Sequence, residues 1–204
     1  MEIEIKAKVK SLAQLRKKIL ALGAKKITNK HQLDVYLSPP HKSFFRTKYY
    51  LRVRHDFLNK DKHSFDYHIF HKGVGACSLS DEQEAGIQDG AVLLKILKQL
   101  DFGEICRINK QREVFKYKNF EIVLDKVKKL GNFIEVELDG QLKDEKKYTK
   151  RITNFLNKLG VKKSQFCTDQ GYVELMTNTS ARDWNELKEI ERIKKPGISL
   201  ENQK

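Results

Sequence analysis

Charged and aliphatic residues alternate through the first ten positions of the chain. From Glu2 to Lys10, every even position is acidic or basic and every odd one is Ile, Ala or Val. Because successive side chains of a β-strand point to opposite faces, this pattern predicts a strand with one aliphatic and one charged face. Two interpretations of the charged face are open. It is either a solvated surface, or a site in which carboxylates bind a divalent metal and an ammonium group binds phosphate.

The same alternation recurs in Leu51–Arg54 and Ile134–Leu138, and less regularly in Phe120–Asp125. In each of these segments the charged residues again share one face. A single strand of this kind is most simply a surface strand, but several of them in one small protein favour a barrel with a polar lumen.

Three other segments have the apolar spacing of amphipathic helices and stop before Gly23, Gly103 and Gly160. Ser11 and Asp89 are suitable N-caps for the first two, and the third begins at about position 144. Such helices would cover the aliphatic outer face of the barrel.

The chain also repeats itself with an offset of about 80 positions, which predicts two similar halves that close into one barrel of about eight strands. The matching pairs are Glu2 and Glu82, Glu4 and Glu84, Gly23 and Gly103, Asn29 and Asn109, and Lys30 and Lys110.

The amino-acid composition indicates the charge of the binding partner. The 204 residues contain 41 Lys and Arg against 27 Asp and Glu, a formal net charge of +14, which favours anionic ligands. Acidic residues alternate with the basic ones instead of leaving a basic stripe, which disfavours nucleic acid. Three widely spaced cysteines and the absence of a long apolar run predict a cytoplasmic protein without a membrane span. A homodimer is left open.

The last residues differ from the rest. A polar break at Asn178–Ser180 precedes a segment, Asp183–Lys194, that we expect to form a short helix and that contains the single tryptophan, Trp184. We therefore predict one main domain over residues 1–176 and a polar or helical appendage over residues 177–204.

Taken in order, the charged motifs resemble those of the CYTH family, the triphosphate tunnel metalloenzymes, over about residues 1–176. The motifs are Glu2-x-Glu4-x-Lys6, Arg52-x-Arg54, Lys72-Gly73, Glu82-x-Glu84, Lys110-x-Arg112, and Asp125 followed by Leu130-Gly131-x-Phe133-Ile134-Glu135-Val136-Glu137. Two further segments, Asp34–Tyr36 and Gly171–Met176, resemble the class IV adenylyl cyclase branch. Ser80 departs from the family pattern, because many relatives carry Arg there, so one phosphate contact is in question.

The resemblance implies an α+β fold in which an eight-stranded antiparallel tunnel binds a triphosphate together with Mg²⁺ or Mn²⁺. It also implies roles for individual positions. The implied phosphate-binding residues are Lys6, Arg52, Arg54, Lys72, Lys110 and Arg112, with Lys6, Lys72 and Arg112 as the catalytic ones. The implied metal-binding residues are Glu2, Glu4, Asp125, Glu135 and Glu137.

Three functions are compatible with these residues. The first is an adenylyl cyclase that converts ATP to cyclic AMP and pyrophosphate. The second keeps the tunnel but uses water as the attacking group, which gives an inorganic, nucleoside or thiamine triphosphatase. The third is a non-catalytic polyanion-binding protein, indicated by the net charge alone.

Overall fold

The computed structural model of this chain describes residues 1–58 and 63–178. Most of the predicted appendage, including Trp184, lies outside the described residues, so the domain boundary at 176 stays a prediction. The secondary structure in chain order is β1 (Glu2–Val9), α1 (Leu12–Ala21), β2 (Lys25–Ser38), β3 (Tyr49–Asp56), β4 (His63–Lys72), β5 (Ser78–Ile87), α2 (Gly90–Gln99), β6 (Gly103–Tyr117), β7 (Phe120–Val127), β8 (Gly131–Asp139), α3 (Glu145–Lys158) and α4 (Tyr172–Thr177).

The eight strands form a closed antiparallel barrel in the spatial order β1-β5-β4-β3-β2-β6-β7-β8. Strand β1 closes it, pairing with β8 through eight residues and with β5 through three. The predicted α+β barrel is therefore confirmed.

The alternation in β1 sets which side chains face outward. Ile3, Ile5 and Ala7 are almost completely buried. They pack against helices outside the barrel together with Leu79 of β5 and the even-numbered apolar residues of β7 and β8. Helix α3 contributes Ile152 and Leu156 to this cluster. The largest apolar core thus lies between the barrel wall and its helices, and the lumen is left to polar groups.

Both predicted N-cap residues, Ser11 and Asp89, cap their helices in the structure. The Ser11 hydroxyl accepts a hydrogen bond from the Gln14 backbone N–H, and the Asp89 carboxylate accepts from Ala91 and Val92. Each cap satisfies backbone donors that have no partner inside the helix.

The two halves share one element order, a strand, a helix and three further strands, in β1 to β4 and again in β5 to β8. Helix α1 packs on β7 and β8, whereas α2 packs on β3 and β4. Each half therefore covers strands of the other, which confirms the predicted pair of similar halves.

Helix α4 follows the second half and packs on β6, and its Val173 belongs to a second apolar cluster that includes Tyr36, Ile108 and Val127. None of the helices in the described part of the chain is long and apolar enough to cross a bilayer.

Ile134→Ala tests the position of the core. Ile134 is fully buried on the outer face of β8, so we expect the free energy of unfolding to fall by about 2–5 kcal/mol in a urea titration. Val92→Ala on α2 is the control, because Val92 is 48% exposed and its truncation should change stability by less than about 0.5 kcal/mol. Equal losses in the two variants would contradict this arrangement.

Candidate active site

The barrel encloses a cavity of about 400 Å³ that is lined mainly by charged side chains. Among the described residues that line it, six are Lys or Arg and nine are Asp or Glu. The six cations are Lys6, Lys30, Arg52, Arg54, Lys110 and Arg112. A chain with a net charge of +14 therefore surrounds a lumen with an excess of carboxylates.

Strands β2, β3 and β6 bring three cations to a single carboxylate. Asp34 accepts two hydrogen bonds from Arg54, at 2.7 and 2.8 Å, and one from Lys110 Nζ at 2.9 Å. Arg52 Nη1 lies 3.7 Å from the same carboxylate, and Arg52 Nε donates a hydrogen bond to Asp66 Oδ2 at 2.7 Å. Although burial opposes ionisation, these cations hold the pKa of Asp34 well below its usual value.

A second group of ion pairs connects β6, β7, β8 and β1. Arg112 donates to Asp125 through Nε at 2.9 Å and through Nη2 at 2.6 Å, and Nη2 also lies 2.6 Å from Glu135. Glu135 in turn lies 3.0 Å from Lys6 Nζ, which is also 3.0 Å from Glu4. The charges alternate along this path, so each buried ion has an opposite charge beside it.

Near the start of β1, around Glu2, the carboxylates outnumber the cations beside them. Burial and the nearby Glu82 and Glu4 raise the pKa of Glu2 to about 8. Burial and the charges of Glu2 and Glu4 raise the pKa of Glu137 to about 9. Although burial opposes ionisation, the hydrogen bond from His68 lowers the pKa of Glu82 to about 2.

This excess of carboxylates fits a divalent cation. Burial and neighbouring carboxylates raise the pKa values of Glu2 and Glu137, a strain that a bound cation would relieve, and carboxylate oxygens are the donors that Mg²⁺ and Mn²⁺ prefer. Within residues 1–58 and 63–178, no three acidic, His or Cys side chains already converge on one metal position. That is compatible with Mg²⁺, which commonly binds to one or two protein carboxylates and completes its shell with phosphate oxygens and water.

Two of the residues assigned from the sequence stand apart from the others. Lys72 is exposed at the end of β4 and does not line the cavity. Asp125 is fully buried behind Arg112, and it too is not part of the cavity surface. The other assigned residues all line the lumen.

Comparison with known proteins identifies the family. The profile of the CYTH domain matches residues 1–168. The chain belongs to the CYTH family. Members of this family act on triphosphate substrates and generally depend on metal ions.

A CYTH relative from Methanocaldococcus jannaschii, named "Putative adenylate cyclase", is 28% identical over 179 residues, which cover 86% of this chain and 98% of the relative. Among solved structures, a Pyrococcus horikoshii protein is 28% identical with a TM-score of 0.75 and covers 86% of this chain and 99% of its own. A Hippeastrum protein, described as a "putative adenylyl cyclase" with "a dominant triphosphatase activity", shares the fold with a TM-score of 0.62 at 14% identity over 88% of this chain and 97% of its own.

Sequence reasoning assigned no role to two charged residues of β2 in this CYTH protein, Lys30 on the cavity surface and Asp34 buried beneath it. Asp34 appeared only inside a motif, yet it is the shared counter-ion of three cations. Lys30 appeared only in the internal repeat. For both, strand parity was the available signal, because Lys30, Gln32, Asp34 and Tyr36 alternate with outward-facing residues of β2.

Ser80, the departure from the CYTH pattern, also lines the cavity. Its hydroxyl donates a hydrogen bond to Glu82 Oε1 at 3.1 Å. In this chain the position thus orients a carboxylate and carries no positive charge.

Glu137→Gln tests the electrostatics of the acidic end. The pKa of Glu137 is about 9 in the folded protein against 4.5 ordinarily, so the folded state retains this proton more strongly than the unfolded state does. By linkage the protein should lose stability as the pH rises from about 5 to about 9. In metal-free buffer at pH 8, Glu137→Gln should therefore raise the melting temperature by several degrees, measured by circular dichroism.

Glu113→Gln is the matched control. Glu113 pairs with Arg16 and Lys26 on the outside of the barrel, and the hydrogen bond from Arg16 lowers its pKa. Its neutralisation should lower the melting temperature at pH 8 or leave it unchanged. A decrease for Glu137→Gln as well would contradict the excess of negative charge.

Proposed function

We propose that this CYTH protein is a divalent-metal-dependent adenylyl cyclase, which converts ATP bound in the barrel lumen to cyclic AMP and pyrophosphate. The observation that carries the proposal is the combination, in one cavity, of six Lys and Arg side chains, an acidic cluster and an aromatic wall. The relative named for an adenylate cyclase, which aligns over nearly its whole length, supports the same reaction.

The cations suit a chain of three phosphates. Arg52, Arg54 and Lys110 surround Asp34, while Lys6 and Arg112 share Glu135, so the positive groups form two neighbouring sets that meet on β6. Arg provides planar paired donors and Lys a mobile point charge, and together they can bind successive phosphate groups.

The aromatic wall suits the base of a nucleotide. Tyr36, Tyr50 and Phe70 line the cavity. The ring of Tyr50 contacts Tyr36 and Phe70 edge to face, with centroid distances of 5.5 Å and 4.9 Å respectively. The ring of His68 lies parallel to Phe70 at 6.1 Å. A purine can stack on such rings, whereas inorganic triphosphate has no group that uses them.

Cyclisation requires the ribose 3′-hydroxyl oxygen to attack the α-phosphorus. The bond from that phosphorus to the oxygen bridging the α- and β-phosphates breaks, the hydroxyl proton is released, and pyrophosphate departs. No covalent intermediate with the protein is needed. The Lys and Arg side chains hold the phosphates in line for this attack and neutralise the charge that develops on pyrophosphate.

Glu2 and Glu137 would hold the metal, whereas Glu4, Glu135 and Asp125 are less direct candidates as ligands because each is already paired with a cation. When bound, Mg²⁺ or Mn²⁺ would polarise the α-phosphate and acidify the attacking hydroxyl.

The reaction is tested by incubating the protein with ATP and Mn²⁺ and identifying the products by chromatography. We expect cyclic AMP and pyrophosphate in equal amounts. Orthophosphate without cyclic AMP would contradict the cyclase proposal.

The second candidate is a triphosphatase in the same lumen. The Hippeastrum protein with this fold is described by its triphosphatase activity, and the phosphate-binding residues do not by themselves select water or a hydroxyl as the attacking group. A comparison of ATP, GTP, inorganic triphosphate and thiamine triphosphate separates the two. Faster turnover of inorganic triphosphate than of ATP would favour the triphosphatase.

Lys30→Gln tests the role of the lumen cations. Lys30 lines the cavity, and burial together with Arg112 and Arg54 lowers its pKa, so its positive charge is repelled in the absence of a ligand. We expect Lys30→Gln to keep or raise the melting temperature while kcat/KM for ATP falls by about tenfold or more.

Lys26→Gln removes a cation of the same strand that pairs with Glu113 outside the barrel, and it should leave kcat/KM unchanged. Lys72→Ala in the same assay tests the catalytic role inferred for Lys72 from the sequence. An unchanged kcat/KM in Lys30→Gln would argue against substrate binding in the lumen.

A further inference from the structure

Tyr172 brings an aromatic ring into the lumen from outside the barrel. It is the first residue of α4, it is only 5% exposed, and it lines the cavity. Its ring stands edge to face on Phe133 of β8, with centroids 5.1 Å apart. Burial and the neighbouring Asp125 raise the pKa of Tyr172 well above its usual value, so the hydroxyl keeps its proton and remains a donor.

That hydroxyl donates to a carboxylate which orients one of the lumen cations. The distance from Tyr172 Oη to Asp125 Oδ2 is 2.9 Å, and the same oxygen accepts from Arg112 Nη2 at 2.6 Å. Asp125 is fully buried, so its orientation depends on these donors. A loss of the Tyr172 hydroxyl would free one side of the carboxylate that holds Arg112.

The face of the same ring lies beneath two other lumen cations. Lys6 Nζ is 4.6 Å and Lys110 Nζ is 5.5 Å from the ring centroid of Tyr172. Both ammonium groups also have carboxylate partners, Glu135 for Lys6 and Asp34 for Lys110. The ring therefore lies between the two sets of cations and is attracted to a member of each.

Helix α4 is held in place by a second polar contact. The Tyr50 hydroxyl donates to Glu174, which is 1% exposed and also accepts a hydrogen bond from the Gly171 backbone N–H at 2.7 Å. Tyr172 is thus fixed both at its own hydroxyl and through the helix that carries it.

We propose that Tyr172 is a positioning residue for the triphosphate: its hydroxyl orients Arg112 through Asp125, and its ring directs Lys6 and Lys110 toward the phosphates. This inference rests on the proposed binding of a triphosphate in the lumen. It explains why the motif Gly171–Met176, which lies outside both halves of the barrel, belongs to the functional site.

The test compares the removal of the hydroxyl with the removal of the ring. Tyr172→Phe keeps the ring, and Tyr172→Leu removes both groups. The probe is inorganic triphosphate with Mg²⁺, titrated calorimetrically, and kcat and KM for ATP are measured in parallel. We expect Tyr172→Phe to bind the probe about 10-fold to 100-fold more weakly, as for loss of a hydrogen bond to a charged group, and Tyr172→Leu to bind it more weakly still.

Tyr117→Phe is the control, because the ring of Tyr117 stacks on Phe155 outside the barrel, with centroids 5.6 Å apart. It should bind the probe like the wild type. If Tyr172 only fills the end of the barrel, Tyr172→Phe will also match the wild type in probe affinity, and the proposal is overturned.

A double-mutant cycle with Asp125→Asn tests the route through Asp125. We expect Tyr172→Phe to weaken binding of the probe much less in the Asp125→Asn background than in the wild type. Additive effects would overturn a role exerted through Asp125.

Failure of the wild-type protein to bind inorganic triphosphate would overturn the tunnel proposal and this inference together, whereas binding by the wild type with no effect of Tyr172→Phe would overturn the inference alone.

Discussion

The structure depends on the need to compensate every charge that the barrel encloses. An ion taken from water into a protein interior loses several kcal/mol of hydration, which only opposite charges and hydrogen bonds can return. In the lumen this compensation is nearly complete around Asp34 and along the path from Asp125 to Lys6, and it fails at Glu2 and Glu137. The acidic end of the lumen, around Glu2 and Glu137, is therefore where a bound cation would be stabilised.

This requirement explains why the main core lies outside the barrel. A lumen filled with ions cannot supply apolar burial, so the aliphatic face of each strand must be covered from outside. Helices α1 and α3 cover β1, β7 and β8, and α2 covers β3 and β4. The apolar core and the charged cavity thereby occupy opposite faces of the same strands.

The two halves supply most of the lumen, but they do not complete it. Each contributes acidic and basic residues, in agreement with the repeat of Glu2 and Glu4 at Glu82 and Glu84. Helix α4 belongs to neither half, and through Tyr172 it contacts the cations of both. A barrel built from two similar halves thus acquires one asymmetric wall.

The alternation of charge and aliphatic residues, the caps at Ser11 and Asp89 and the 80-residue repeat were sufficient to predict two-faced strands, amphipathic helices and two halves, because these are local or periodic properties. The tertiary structure alone decided which charges meet. Asp34 reaches Arg54 and Lys110 across 20 and 76 positions, and Tyr172 reaches Asp125 across 47, while Lys72 lies at an exposed strand end. These contacts depend on strand register and on barrel closure, which no single segment contains.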